Sequence, residues 1–191
     1  MEIKLFGDKT IFLKGKKESV LVNPSEKEVV GNKINARIVI YSHQDLNQPG
    51  IEGERIIINS SGEYEIGGVE VSGIGVEDDK TIYVVTIDGF RLVVIAELAE
   101  ELSEKKIEKV DEADIMLTTI KVGEKVNFKL LRDWAKKWGV NYLIPLSEET
   151  ESIKRFLDDA DEEGLVESES LKLDKVDDLP DGFEVKLLKK N

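Results

Sequence analysis

The chain has 191 residues, no cysteine, a single histidine, 40% apolar and 35% charged residues, and a formal net charge of −13. That length and composition fit one globular domain, 1–191, able to bury a core, and exclude disulfides, thiolate zinc sites, cysteine nucleophiles and any mechanism that needs two imidazoles. The acid excess makes nucleic acid and anionic membrane surfaces poor partners, no apolar run approaches the ~18 residues of a membrane span, and Met1–Phe6 lacks a signal-peptide layout, so a cytoplasmic protein is expected.

The first half reads as strands. Ile3–Phe6, Thr10–Leu13 and Ser19–Val22 are separated by the turns Gly7-Asp8-Lys9 and Gly15-Lys16-Lys17, and Asn23-Pro24 stops the third. Arg37–Tyr41 is a β-branched run ending at Ser42-His43-Gln44-Asp45, and Arg55–Ile58 ends at Asn59-Ser60-Ser61-Gly62. Glu63–Ile66 and Val69–Val71 flank Gly67-Gly68, a two-residue hairpin turn. Ile82–Ile87 and Phe90–Ile95 flank Asp88-Gly89, which supplies the positive φ values of a type I′ turn.

In the second half the period changes. Ser103 can cap a short helix through Val110, with Leu102 and Ile107 as a hydrophobic staple, and Ala113–Leu117 is a strand. Asn127 caps a helix with Leu130, Leu131, Trp134 and Trp138 on one stripe, closed by Gly139, and that stripe reads as core rather than a ligand platform. Tyr142–Ile144 is a strand stopped by Pro145. A third helix follows Thr150 with Ile153, Phe156, Leu157 and Ala160 inward, and the acidic run Asp158–Glu163 is its solvated face and end. Phe183–Leu188 is a last strand before a basic frayed tail. Many antiparallel strands followed by alternating strands and helices predict an α/β (α+β) architecture: two mixed sheets with helices on the outer faces.

Catalytic or binding groups in such a fold sit in the loops at strand ends. The polar loops are Gly7-Asp8-Lys9, Val22-Asn23-Pro24, Ser42-His43-Gln44-Asp45, Gly62-Glu63-Tyr64-Glu65, Ala96-Glu97 and Pro145-Leu146-Ser147. In order and spacing they resemble the metallo-β-lactamase-fold hydrolases, in particular the small branch of L-ascorbate-6-phosphate lactonase-like proteins, over nearly the whole chain. The resemblance implies a four-layer αββα sandwich and a zinc-dependent hydrolytic cleft.

The same resemblance sets Gly7-Asp8-Lys9 against a Gly-His-Ser turn and Asn23-Pro24 against Asp-Pro. It sets His43 through Gln48 against the metal motif His-x-His-x-Asp-His, Ala96-Glu97 against a metal-bridging Gly-Asp, and Ser147 against a last histidine; Gly62-Glu63-Tyr64-Glu65 is kept intact. The ligand positions Asp8, Asp45, Gln48, Glu97 and Ser147 are therefore rewritten. A dinuclear site needs several imidazoles and a bridging carboxylate, and one imidazole with Asp45, Glu97 and Asp8 does not supply them.

The residues expected to line a vestigial or ligand-binding cleft are Asp8, Asn23, His43, Asp45, Glu63, Tyr64, Glu97 and Ser147, with no catalytic residue and no metal ligand set. Zinc is the family's metal but its ligands are missing; a weak Mg²⁺ or Mn²⁺ site from Asp8, His43, Asp45 and Glu97 is the alternative. Ser42, His43 and Asp45 make no triad, because neighbouring side chains diverge. Gly62 and Tyr64 equally suit a tight strand entry with a packed ring. Lys121, Gly123 and Lys125 lack the spacing of a phosphate loop. The function expected is a catalytically degenerate binding module with a protein partner or a second copy. The alternatives are a metal-dependent hydrolase, of lactonase or phosphoester type with an oxygen-rich site, and a structural subunit of a homo-oligomer.

Overall fold

Alternation of apolar side chains along the first three strands puts one set of residues on a shared inner face. In the computed structural model these are β1 (Glu2–Phe6), β2 (Thr10–Lys14) and β3 (Ser19–Val22), with Ile3, Leu5, Ile11, Leu13, Val20 and Val22 buried together. The structure describes residues 1–25, 34–42, 54–76, 79–96, 98, 100–122, 125–147, 149–160 and 165–190. Two short apolar strands, β4 (Ile38–Ile40) and β5 (Ile56–Ile58), continue this sheet in parallel. Each residue of β4 is buried, as expected of a parallel strand covered on both faces.

The second sheet starts with β6 (Gly62–Ile66) and β7 (Val69–Gly75), then β8 (Thr81–Ile87) and β9 (Phe90–Ile95). Gly67, Gly68, Asp88 and Gly89 all have positive φ, so both two-residue turns have the geometry their sequences call for. Parallel strands β10 (Ile115–Thr119) and β13 (Tyr142–Leu146) follow, with the hairpin β11 (Lys121–Val122) and β12 (Lys125–Val126) between them. Two short strands complete the sheets: β14 (Leu171–Lys172) beside β1 and β15 (Glu184–Val185) beside β13. Among the described residues the orders are β14-β1-β2-β3-β4-β5 and β15-β13-β10-β9-β8-β7-β6, two mixed sheets.

Three α-helices are described: α1 (Glu104–Val110), α2 (Phe128–Lys137) and α3 (Thr150–Asp159). Asn127 caps α2 by accepting from the Leu130 amide, and Gly139 turns the chain out at φ 70°. Leu131, Trp134, Trp138 and Phe156 pack with Val84, Val93, Met116 and Leu143 on the outer face of the second sheet. A separate cluster between the sheets joins Val20, Ile38 and Ile40 to Val85, Leu92, Val94 and Leu117. The architecture is thus α+β: two mixed sheets face each other across a shared core, with helices on the outer face of the second. None of the described helices is long and apolar enough to cross a membrane.

Four local expectations are corrected. Pro145 does not end its strand: β13 runs to Leu146 opposite Thr118 and Thr119 of β10, while on its other side β15 pairs only as far as Leu143, so among the described residues no strand on that side requires the missing N–H. Helix α3 includes Thr150 and has Glu149 at its N-cap. Ser103 stands at the N-cap of α1 without a side-chain bond, its carbonyl accepting from Lys106 and Ile107. The last strand is short, and the tail after it is held rather than frayed. Ser168 bridges to Leu188, and Leu5 to Lys190.

Candidate functional site at the strand ends

Strand direction gathers the polar loops. β1, β3, β4 and β5 point one way in the first sheet, and β7, β9, β10 and β13 share a direction in the second. Cross-sheet bonds show that their C-terminal ends meet: the Thr81 amide donates to the Ser42 carbonyl at 2.7 Å, and the Tyr83 hydroxyl to the Tyr41 carbonyl at 3.1 Å. Asp8, Asn23, Ser42, Ser60 and Ser147 therefore follow strands that end at one edge of the sandwich.

Asn23 is the structural centre of the first sheet's part of that edge. It sits at φ 49°, a conformation asparagine tolerates better than most residues. Its Nδ2 donates to Ser42 Oγ at 3.0 Å, and its Oδ1 accepts from the Ser42 amide at 2.7 Å. Its carbonyl accepts from Thr10 Oγ1 at 2.8 Å, and its amide donates to the Ile40 carbonyl at 2.8 Å. Both residues are buried. The pair clamps the end of β3 to the end of β4, at the residue before His43.

Across the edge lies a phenol pair. Tyr83 is fully buried, and its hydroxyl also reaches the Ser60 carbonyl at 3.4 Å. Burial pushes its pKa up to about 12, with a bond to Thr81 opposing and Tyr64 adding to the rise. Tyr64 Oη lies 2.9 Å from Ser60 Oγ and donates to the Ser60 carbonyl at 3.2 Å. Gly73 permits this arrangement, since a Cβ there would stand 2.7 Å from the Ser60 carbonyl oxygen. Glu63 is not part of the group. It is next to Tyr64 on a strand, so it faces the other way, exposed, and accepts from Ser72 Oγ at 2.7 Å.

Asp8 and Ser147 come together through Lys190, which is no site candidate from sequence. The Lys190 ammonium donates to the Asp8 carboxylate and, at 2.7 Å, to the Ser147 carbonyl. Ser147 Oγ meanwhile donates to the Glu149 carbonyl and accepts from the Glu149 amide, at 3.2 and 3.1 Å. No sequence signal marked Lys190, because its partners lie 182 and 43 residues away. His43, Asp45, Gln48 and Glu97 lie outside the described residues.

Beside Glu149, on the helical face, an open groove of about 520 Å³ is lined by Lys121, Lys125, Arg155, Asp158 and Asp159 among others. Lys121 donates to Glu149 Oε1 at 2.8 Å and Ser152 to Oε2 at 2.6 Å. The bond from Lys121 is the main reason the Glu149 carboxyl lies below its ordinary pKa.

A zinc centre would need several nitrogen or carboxylate donors converging with free lone pairs. Among the described residues no three histidine, cysteine, aspartate or glutamate side chains converge. At the edge, the Asp8 carboxylate carries an ammonium and the Asn23 amide is engaged by Ser42. The described donors do not fit a zinc site.

Comparison with solved structures shows the fold. A metallo-β-lactamase superfamily protein from Thermotoga maritima superposes with a TM-score of 0.82 at 20% identity, covering 98% of each chain. An isothiocyanate hydrolase from Delia radicum gut bacteria matches at TM-score 0.66 and 10% identity, over 92% of this chain and 100% of that one. A metallo hydrolase from the hyperthermophilic archaeon Ignicoccus hospitalis matches at 0.60 and 12%, over 91% and 99%. No curated protein matches the sequence. The sequence profile of the beta-lactamase superfamily domain matches residues 2–147, well over half of the chain, and the protein belongs to that family.

Proposed function

We propose that this chain is a degenerate member of the family, from the L-ascorbate-6-phosphate lactonase-like branch. It keeps the scaffold and works by binding a protein partner or a second copy of itself in the cytoplasm, with neither zinc nor hydrolysis. Fold and site are separable, so a scaffold can outlast its chemistry. One observation carries the reading: Asp8, Asn23 and Ser147, which the resemblance sets against the family's functional positions, bond to Lys190, Ser42 and Glu149.

Metal analysis of protein purified without chelator tests it. The expected content of zinc and manganese is far below one equivalent. One tightly held equivalent of either overturns the reading. It would favour instead a metal-dependent hydrolase of lactonase or phosphoester type built on His43, Asp45 and Glu97, a reading supported by the fold shared with metallo hydrolases. In that case Glu97→Ala and Asp45→Ala would each abolish a metal-dependent activity.

A further inference from the structure

We propose that segment 184–190 is a strap between the two sheets, and that Lys190 is its releasable catch over the strand-end edge. The strap is rooted in the second sheet, where Glu184 and Val185 pair with Tyr142 and Leu143 and the Lys186 amide donates to the Leu143 carbonyl at 2.9 Å. It then crosses to the first sheet. Leu188 is buried in the inter-sheet core, the Lys189 amide donates to the Ser168 carbonyl at 2.9 Å, and Lys190 bridges to Leu5 of β1.

At its tip, Lys190 ties the loop after β1 to the loop after β13 through the Asp8 carboxylate and the Ser147 carbonyl. An ammonium offers three donors, so it serves both acceptors at once. Root and tip differ in kind. Val185 and Leu188 are held by burial, which salt does not weaken. The Lys190 and Asp8 side chains are 41% and 42% exposed, so their pairing is weak and screened by salt. The Lys190 ammonium therefore lets go of Asp8 without unfolding the root, and an ionic ligand entering between the two loops has to displace it from Asp8.

Hydrogen exchange followed by mass spectrometry on the full chain tests this, comparing the wild type with Lys190→Met, which keeps most of the stem, and Asp8→Ala. At low salt both variants are expected to exchange amides in residues 5–9 and 186–190 about two- to fivefold faster than wild type, with the β8–β9 hairpin unchanged. High salt should bring the wild type to the variants' rates. A zero-length carbodiimide cross-link should join Lys190 to Asp8. Wild-type exchange rates in Lys190→Met overturn the proposal. So does acceleration spread over both sheets, which would make Lys190 a general stabiliser, or the lack of that cross-link. Metal content does not enter these readouts, so the strap and the proposed function fail separately.

Discussion

At one end of the sandwich the chain reverses through Gly67-Gly68 and Asp88-Gly89, and the Lys16 amide ties the sheets by donating to both Asp88 carboxylate oxygens, at 2.9 and 3.2 Å. Arg37 pairs with Glu18 there at 2.5 Å, the guanidinium exposed and the carboxylate largely covered. At the other end the closure runs through buried side chains: Asn23 to Ser42, Tyr83 to Tyr41, with Lys190 across the rim. Two tight turns and the ion pair of Asp88 with the buried Met1 ammonium, at 3.6 Å, close the first end, and a network of several buried polar side chains closes the second. In low dielectric each bond of such a network costs more when broken, so the strand-end edge should be the more sensitive of the two.

The sharpest way to break that comparison is Asn23→Ala. It removes both bonds to Ser42, strands buried polar groups and places alanine at φ 49°. A loss of ~2–4 kcal/mol is expected in urea unfolding. Asn23→Asp should cost much less, because a carboxylate still accepts from the Ser42 amide and the Ser42 hydroxyl can rotate to donate to it. If Asn23→Ala cost no more than a surface change, the edge would not be held by this pair.

Next in size is an alkaline effect from Tyr83. Its phenol stays protonated to about pH 12 when folded, against an ordinary value of 10.0. Between those values the unfolded chain binds fewer protons than the folded one, so stability falls as pH rises. The contribution is ~2–3 kcal/mol, present below about pH 10 and lost by about pH 12. Tyr41, also raised by burial, adds in the same direction. Unfolding followed from pH 9 to 12 should show a shallower decline in Tyr83→Phe than in wild type, and equal slopes would place the titration elsewhere.

How much of each end could be read from the sequence follows the same division. Asp88-Gly89 and Gly67-Gly68 announce themselves because a turn is a local matter of φ, set by two residues. The stripe of Leu131, Trp134 and Trp138 was legible for a similar reason, since helical spacing is local too. Asn23 was singled out by position, but its role as a clamp was not, because Ser42 is 19 residues away and only pairing of β3 with β4 brings it near. In sequence Tyr83 is one more apolar strand residue, and its hydroxyl's cross-sheet partner has no local trace. Lys190 looks like frayed tail. Gly62-Glu63-Tyr64-Glu65 looks like one unit, yet strand alternation sends Tyr64 and Glu63 to opposite faces.

At the turn end, Asp88→Ala should cost ~1–3 kcal/mol, through the lost bond to Lys16, the lost counter-charge of the buried Met1 ammonium and the less tolerated φ of 54°. Asp88→Asn, which keeps an acceptor and suits that φ but not the charge facing Met1, should recover part of the loss in the same assay. A cost above that of Asn23→Ala would reverse the ranking of the two ends.

Glu63→Gln carries the smallest effect, and its value lies in where it draws the line. Glu63 is exposed and faces away from Tyr64, with Ser72 Oγ as its partner. A glutamine still accepts that bond, so thermal unfolding should move by no more than ~0.5 kcal/mol. Its effect on any ligand or partner bound at the strand-end edge should be nil, whereas Tyr64→Phe, which loses the contacts to Ser60, should weaken such binding. The two substitutions sit one residue apart and differ chiefly in face. Equal effects on binding would mean that the occupant wraps around β6 to both sides, and the working surface would then extend beyond the edge on which Asn23, Tyr83 and Lys190 converge.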